Sequence, residues 1–338
     1  MQHGKGINQM KIALTYNLNI SNTEEEAEFD SQETIDALTQ AITKLGHSVE
    51  HFNVSQPVYL TVAGLENYQP DLIFNTAEGK RGRCRESFYP ALFAELGFPY
   101  SGSDAYTLAV TLDKHLTKLL LQQHHIPMPN WQFIQNITDL DLDKLRLPLI
   151  IKPNFEGSSK GITQESIVET LADAKIKVAE ILNHYPTGVL VEEYIRGKDI
   201  TVPFLAGFDN KYNGILGTVE YIITPIVNLQ RKYPIYDYDL KGKYSNHVEV
   251  RVPANIPEEI SQKICHLAEK IFQILDCRDL GRIDFRLSDD VIPYFLEINA
   301  LPSLEPGAGI YAAAKLVGLD FTGVINSIIE SAIKRYVK

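Results

Sequence analysis

Four polar residues near the end of the chain have types and spacing that suit metal and phosphate chemistry. They alternate in pairs along two apolar runs, which the polar residues 288–290 separate: Arg282, Asp284, Glu297 and Asn299. Because successive side chains of a β-strand point to opposite faces, the members of each pair share a face. Carboxylate and amide oxygens suit magnesium, which takes its other ligands from phosphates and water. The pattern favours ATP chemistry, and the alternative is an ordinary hairpin with a solvated polar face.

A loop rich in glycine and serine follows an apolar run in the middle of the chain. The run, residues 147–153, is typical of a strand and brings Lys152 to the start of the loop, residues 156–161. Glycine lets the backbone N–H groups of such a loop approach phosphate oxygens closely. Alone, the loop would equally suit a flexible turn. Together with the lysine and the acidic strands downstream, it predicts a nucleotide site.

Length, charge and cysteine content limit the class of protein. A chain of 338 residues predicts two or three subdomains, since single cores stop growing near ~250–300 residues. A net charge of -11 opposes nucleic-acid binding. The three cysteines lack the spacing of a zinc site or a disulfide framework, and no apolar run is long enough to span a bilayer. We therefore expect a cytoplasmic protein without a nucleic-acid or membrane partner.

Alternating strand and helix patterns predict an α/β (α+β) chain with an open parallel sheet at its start. After a leader or disordered segment at 1–9, residues 10–105 show strands at 10–16, 49–54 and 71–75 and helices at 31–45 and 86–96. No GxGxxG fingerprint follows the first strand, so this domain is expected to hold substrate rather than a dinucleotide. A central subdomain is predicted at 106–190 and a C-terminal subdomain at 191–338.

Six segments in family order resemble the ATP-grasp carboxylate–amine ligases, and within them the D-alanine:D-alanine ligase family. None is diagnostic alone, and together they extend over nearly the whole chain: 113–114, 152–161, 190–199, 243–245, 281–284 and 296–299. The resemblance implies an ATP-grasp fold of three subdomains, with ATP bound between the central and C-terminal ones. It also implies amide formation through an acyl phosphate, with release of ADP and phosphate.

The resemblance implies specific roles in nucleotide binding. The phosphates would be held by Lys114, Lys152 and Lys243 and covered by the loop that carries Glu156, Ser158 and Ser159. Glu192 would accept the adenine amino group, and the backbone from Glu193 to Ile195 would contact the ring edge. Asp199 would bind the ribose, although it is shorter than the usual Glu of the family.

The resemblance likewise implies the metal and catalytic residues. Asp284, Glu297 and Asn299 would bind two magnesium ions, with manganese as an alternative metal, and Arg282 would stabilise the transferring phosphate. In the family an acid, a serine and a tyrosine bind the first substrate. Ser158 and Tyr244 match two of them, and Glu26 is the predicted acid by its spacing to the next helix. A solvated acidic helix start is the alternative for Glu26.

Two segments depart from the family pattern near the expected substrate pocket. The first carries Arg81, Arg83 and Arg85 before a helix, where guanidinium groups would suit an anionic substrate; a solvent-exposed basic turn is the alternative. The second places Glu305 beyond the last metal strand, where a carboxylate would suit a cationic or hydroxylated group. These departures predict a small-molecule substrate other than plain D-alanine.

Three functional alternatives stay open at this stage. The preferred one is a specialised ligase for an amino acid or related carboxylate, and the second is a D-alanine:D-alanine ligase. The third is a nucleotide-binding regulatory protein without turnover, against which the intact lysines and metal ligands argue. The resemblance further implies a homodimer.

Overall fold

The computed structural model describes residues 9–207, 213–228, 231–241 and 245–337. Its N-terminal unit is a three-stranded parallel sheet in the order β2–β1–β3. The elements of this unit are β1 (Lys11–Tyr16), α1 (Gln32–Lys44), β2 (Ser48–Asn53), α2 (Val58–Tyr68), β3 (Leu72–Asn75) and α3 (Arg85–Glu95). The predicted open parallel sheet is confirmed.

Helix α1 forms where the sequence predicts it, and helix α2 is an addition. Ser31 caps α1 by accepting a hydrogen bond from the backbone N–H of Thr34, and the apolar side chains of α1 recur on one face. In α2 only Thr61 and Leu65 are buried, so its sequence lacks the apolar stripe that would predict a helix.

Two short helices follow the N-terminal unit, α4 (Ala105–Leu112) and α5 (Lys114–Gln122). Asp113 separates them with an extended backbone and caps α5 through the backbone N–H of Leu116. Val110 and Leu121 pack in the core of the C-terminal sheet, whereas Lys118 pairs with Glu192, which lies on a strand of the central sheet. The subdomain boundary expected at residue 106 stays a prediction.

A four-stranded antiparallel sheet in the order β4–β7–β5–β6 forms the central unit. It contains β4 (Trp131–Ile134), β5 (Leu149–Pro153), β6 (Ile167–Val168), α6 (Leu171–His184) and β7 (Val189–Glu193). The boundary predicted at 190 falls inside β7, and because β7 pairs with both β4 and β5, the central sheet extends to Glu193.

A five-stranded antiparallel sheet in the order β10–β9–β8–β11–β12 forms the C-terminal unit. Its strands are β8 (Gly197–Leu205), β9 (Val219–Ile223), β10 (Val248–Arg251), β11 (Leu280–Ser288) and β12 (Pro293–Asn299). Its helices are α7 (Pro225–Asn228), α8 (Tyr238–Lys241), α9 (Glu258–Ile274), α10 (Gly309–Leu316) and α11 (Phe321–Lys334).

The end of the chain packs against its beginning. Ile12 and Leu14 of β1 share one buried core with Val324 and Ile328 of α11. Across the described ranges, no single helix is long and apolar enough to cross a membrane; α10 and α11 reach that length and composition only as a pair, bent by 92° at the break.

Candidate active site

A cavity of about 710 Å³ lies where the three sheets meet. Side chains from β5, β7, β8, β11 and β12 line it, together with the start of α5 and the loop at 156–161. The predicted residues that line it are Lys114, Lys152, Glu156, Ser158, Ser159, Glu192, Glu193, Ile195, Asp199, Arg282, Asp284, Glu297, Asn299 and Glu305. Lys243 and Tyr244 lie outside the described residues.

The strands β11 and β12 bring the four polar residues to one face. In their antiparallel register Arg282 lies opposite Asn299, and Asp284 lies opposite Glu297. Residues directly opposite each other on antiparallel strands share a face. The Arg282 guanidinium donates two hydrogen bonds of 2.8 Å to the Asp284 carboxylate.

Positive charge surrounds Glu297. The Lys114 ammonium lies 3.3 Å from its carboxylate. Burial alone would raise the pKa of Glu297, but Lys114, Lys152 and Arg282 outweigh it and lower the pKa to about 2. The carboxylate of Glu297 is therefore ionised at every physiological pH.

This donor set fits a magnesium-type ion that shares its ligands with phosphate and water. Asp284 and Glu297 supply facing carboxylates, and Asn299 adds an amide whose Oδ1 accepts from the Leu301 backbone N–H at 2.9 Å. The described part of the chain contains no group of three or more His, Cys, Asp or Glu side chains that could hold a metal alone. A magnesium ion needs only one or two protein carboxylates when substrate phosphates and water supply its other ligands.

Glu192 holds two lysines below the cavity. Its carboxylate lies 2.7 Å from the Lys152 ammonium and 2.7 Å from that of Lys118. Burial opposes ionisation of Glu192, yet the two lysines lower its pKa overall. Sequence reasoning missed Lys118, although it follows Lys114 by four residues on one helix and so shares its face. The contact of Glu192 with an adenine amino group stays a prediction.

Arg286 fixes the segment between β7 and β8. Its guanidinium donates to the Ile195 carbonyl at 3.0 Å and to the Tyr194 hydroxyl at 3.1 Å, and it pairs with Asp199. The alternation of Arg282, Asp284 and Arg286 along β11 is the signal that could have revealed it. The Glu193 carboxylate, in contrast, turns to Asn130 and Arg146.

The glycine and serine loop is held from two sides. Lys114 donates to the Glu156 carbonyl at 2.6 Å, and the Gly157 backbone N–H donates to Glu28 at 2.8 Å. Ser158 and Ser159 have φ angles of 51° and 57°, a left-handed conformation that is uncommon for serine. Such strain is frequent at ligand-binding loops.

The structure corrects the prediction for Glu26. Its carboxylate accepts the backbone N–H groups of Ile20 and Ser21 at 2.8 and 2.7 Å, at the surface and off the cavity wall. Glu28 lines the cavity instead, 2.7 Å from Lys160 and 3.2 Å from Arg85. Spacing to the next helix could not separate these two glutamates, because a short helical turn at 24–26 reorients the segment.

The three arginines do not form the anion site that the sequence predicts. Arg85 is buried and pairs with Glu28 and Glu156, so its charge is already balanced within the protein. Arg83 lies over the Phe155 ring, 4.8 Å from its centroid, and Arg81 is exposed. None of the three lines the cavity. Glu305 does line it, from an exposed loop, and its pairing with a substrate stays a prediction.

Comparison with known proteins shows what this chain is similar to. A family model described as "D-ala D-ala ligase C-terminus" matches residues 120–330. The D-alanine–D-alanine ligase of Aquifex aeolicus is 31% identical over 301 residues, which cover 88% of this chain and 94% of that protein. The D-alanine–D-alanine ligase of Moorella thermoacetica is 28% identical over 309 residues, which cover 88% of this chain and 93% of that protein.

Solved structures share the fold. The D-alanine–D-alanine ligase from Bacillus anthracis, complexed with ATP, superposes with a TM-score of 0.75 and 22% identity over 96% of this chain and 98% of that one. The VanG D-Ala:D-Ser ligase from Enterococcus faecalis superposes with a TM-score of 0.73 and 20% identity over 96% of this chain and 100% of that one.

Fold and site together define an ATP-grasp protein. Because the family model spans more than half of the chain, and the Aquifex aeolicus relative covers most of it at 31% identity, the chain belongs to the D-alanine–D-alanine ligase family.

Proposed function

We propose that the protein is an ATP-dependent ligase that joins the carboxylate of an amino acid or related acid to an amine. The observation that carries the proposal is the single face of Arg282, Asp284 and Glu297, which meets Lys114 in one cavity. A triphosphate is the ligand that needs both positive lysines and metal-binding carboxylates. Lys114 and Lys152 would bind its phosphates beneath the loop at 156–161, and Lys243 would bind the γ-phosphate.

The first step makes the carboxylate reactive. A carboxylate is a poor acyl donor, so one of its oxygens attacks the γ-phosphorus, the bond to the β-phosphate oxygen breaks, and ADP leaves. The product is an acyl phosphate. Arg282 stabilises the charge that gathers on the phosphoryl oxygens, a role for which a preorganised guanidinium is suited.

Asp284, Glu297 and Asn299 would hold magnesium, for which we propose two ions, with manganese as a substitute. Bound there, a divalent cation would neutralise phosphate oxygens.

The second step forms the amide. The amine attacks the acyl carbon, the carbon–oxygen bond breaks, and phosphate leaves with an oxygen of the original carboxylate. The loop at 156–161 would exclude water, which otherwise hydrolyses the acyl phosphate. Ser158 lies on the wall of the same cavity. We propose that Ser158 and Tyr244 position the first substrate, together with Glu28 in place of Glu26.

The substrate is proposed to differ from plain D-alanine. Glu305 adds a carboxylate to the cavity wall, where a small apolar side chain would gain nothing from it. D-alanine–D-alanine ligation, the activity printed for the Aquifex aeolicus relative, is the alternative. A cytoplasmic location and a homodimer are further predictions.

Phosphate release across pairs of L- and D-amino acids tests the proposal. We expect release that requires ATP, a divalent cation and two substrates, with a matching amide by mass spectrometry. Asp284→Asn should lower the rate by about 100-fold or more, in the range seen when one transition-state contact is removed.

Asp290→Asn is the matched control, because Asp290 is exposed in the turn of the same hairpin. It should leave the rate unchanged. ATP binding without release that depends on two substrates would instead indicate a nucleotide-binding protein without turnover.

A further inference from the structure

Acidic side chains gather at the end of the cavity that the N-terminal unit forms. Glu28, Glu78 and Glu86 line the wall there. Asp30 and Glu305 lie within electrostatic range, since the charge of Glu305 acts on Asp30 and that of Asp30 acts on Glu78. The acids come from the segment before α1, the loop after β3, the start of α3 and the loop after β12.

The local cations balance only part of this group. Lys160 lies 2.7 Å from Glu28 and 2.7 Å from Glu156, and Arg85 pairs with the same two carboxylates. Lys114 is taken by Glu297. No described lysine or arginine forms an ion pair with Glu78 or Glu86, although the charge of Arg85 acts on both.

Glu78 and Glu86 are buried carboxylates on the cavity wall that no described cation contacts directly. Their exposed fractions are 9% and 8%, and neither side chain has a hydrogen bond or ion pair to any residue that the structure describes. A buried carboxylate without a partner is costly, and natural proteins retain one chiefly where a ligand completes it.

The pKa values of these acids reflect their burial and the negative charge around them. Burial, followed by the charges of Glu86 and Glu28, raises the pKa of Glu78 well above its usual range. Burial and Glu28 likewise raise the pKa of Glu86 to about 7, although Arg85, Lys114 and Lys160 act against the rise. A bound cation would return both groups to their ionised form.

No set of three or more acidic, histidine or cysteine side chains among the described residues is placed to hold a metal without ligands from a substrate. An ammonium or guanidinium group carries several N–H donors, so one such group can serve two carboxylates at once.

We propose that one substrate carries a second cationic group, a primary ammonium or a guanidinium besides its reacting groups, and that Glu78 and Glu86 bind it. The α-ammonium of an amino acid supplies one positive charge. Glu78 and Glu86, which lie near Asp30 and Glu305, together supply more negative charge than that. This inference rests on the proposed ligase function, and it names the substrate class.

Isosteric substrate pairs test the inference. Phosphate release is measured with lysine against norleucine and with arginine against citrulline, each as donor and as acceptor and in both stereoisomers. We expect kcat/KM for one cationic member to exceed that of its neutral isostere at least tenfold. A diamine arm, with putrescine as the amine, distinguishes a basic amino acid from a simple polyamine.

Charge-neutral variants then locate the effect. Glu86→Gln and Glu78→Gln should each remove most of the preference, measured as the ratio of kcat/KM for the cationic member to that for its neutral isostere. Glu95→Gln on the same helix as Glu86 is the control, because Glu95 is exposed. Thermal unfolding shows whether each variant is folded.

Failure of the inference differs from failure of the ligase proposal. Equal turnover of lysine and norleucine, and of arginine and citrulline, with an amide product would overturn the cationic site and leave the ligase intact. If no pair releases phosphate, thermal-shift titrations with lysine, arginine, putrescine and the neutral isosteres decide the inference alone. A shift that is specific to a cation and absent in Glu86→Gln supports it, and equal shifts overturn it.

Discussion

Glu192 shows how one buried carboxylate can position two cations. It contacts Lys118 and Lys152 at 2.7 Å each, and both Lys118 and Glu192 are fully buried. Lys118 also donates to the Phe295 carbonyl at 3.3 Å, which links α5 to β12. Glu192 therefore fixes the position of Lys152 on β5, so the Lys152 ammonium has little freedom to leave the cavity.

Lys118→Met should destabilise the protein by on the order of 3 kcal/mol, because it leaves Glu192 with one of its two partners. Urea unfolding measures the loss. Lys175→Met, at an exposed position of α6 without an ion pair in the described structure, should change stability by no more than about 0.5 kcal/mol. Equal effects of the two substitutions would show that the buried pair contributes nothing specific.

Asp30 predicts a dependence of stability on pH. Burial and the charge of Glu305 raise its pKa from 3.8 to about 7, despite the Thr76 hydroxyl, which donates a hydrogen bond of 2.6 Å. Between these two values the folded protein keeps a proton that the unfolded chain has lost, so stability declines as the pH rises through this interval. The slope from this group approaches about 1.4 kcal/mol per pH unit.

Asp30→Asn should flatten that slope between pH 5 and pH 7. The measurement is the free energy of unfolding of both proteins at several pH values. Parallel curves for the two would contradict the raised pKa of Asp30.

At the scale of elements, the segment between β7 and β8 depends on one arginine from β11. Arg286 reaches the Ile195 carbonyl, the Tyr194 hydroxyl, Asp199 and the Pro234 carbonyl. A planar guanidinium can serve all four groups, and a lysine ammonium cannot. Nucleotide binding should therefore be sensitive to this residue even if it never touches the ligand.

Arg286→Lys should raise the dissociation constant for ATP about tenfold while changing kcat less. Calorimetry and steady-state kinetics separate the two effects. Arg251→Lys on the edge strand β10 is the control and should alter neither. A large loss of kcat with unchanged ATP affinity would place Arg286 in the chemical step instead.

The periodicity of apolar residues predicts the helices and strands whose apolar pattern is strong. It does not predict those elements whose formation depends on tertiary packing. Alternation predicts β11 and β12 and the shared face of their polar residues. It does not predict α2, whose exposed face is as apolar as its buried one, or the break at Asp113, since Asp113 serves both α4 and α5 as a cap. Contacts between distant segments, such as Lys160 with Glu28, are set by tertiary packing and leave no local signal.

At the scale of the whole molecule, the first and last elements form one core. Ile12 and Ile35 pack with Ile325 and Ile328 of α11, all of them buried. The N-terminal sheet therefore cannot bury its face without the C-terminal helix. Glu28, Glu78 and Glu86 of the N-terminal unit therefore depend for their placement on residues of α11, which lie up to nearly 300 positions away in the sequence.

Ile328→Ala should cost about 2–5 kcal/mol, the range for truncating a buried isoleucine. Because the core is shared, hydrogen exchange should speed up in β1 as well as in α11. Faster exchange confined to α11 would show that the N-terminal unit folds without it.

Isotope transfer from the donor carboxylate tests the central claim most directly. The most active amino-acid pair is supplied with ¹⁸O in the donor carboxylate, and the released phosphate is analysed by mass spectrometry. Attack of that carboxylate on the γ-phosphorus predicts one ¹⁸O atom in each phosphate that accompanies an amide. Phosphate without the label would contradict an acyl phosphate at the site built by Arg282, Asp284 and Glu297.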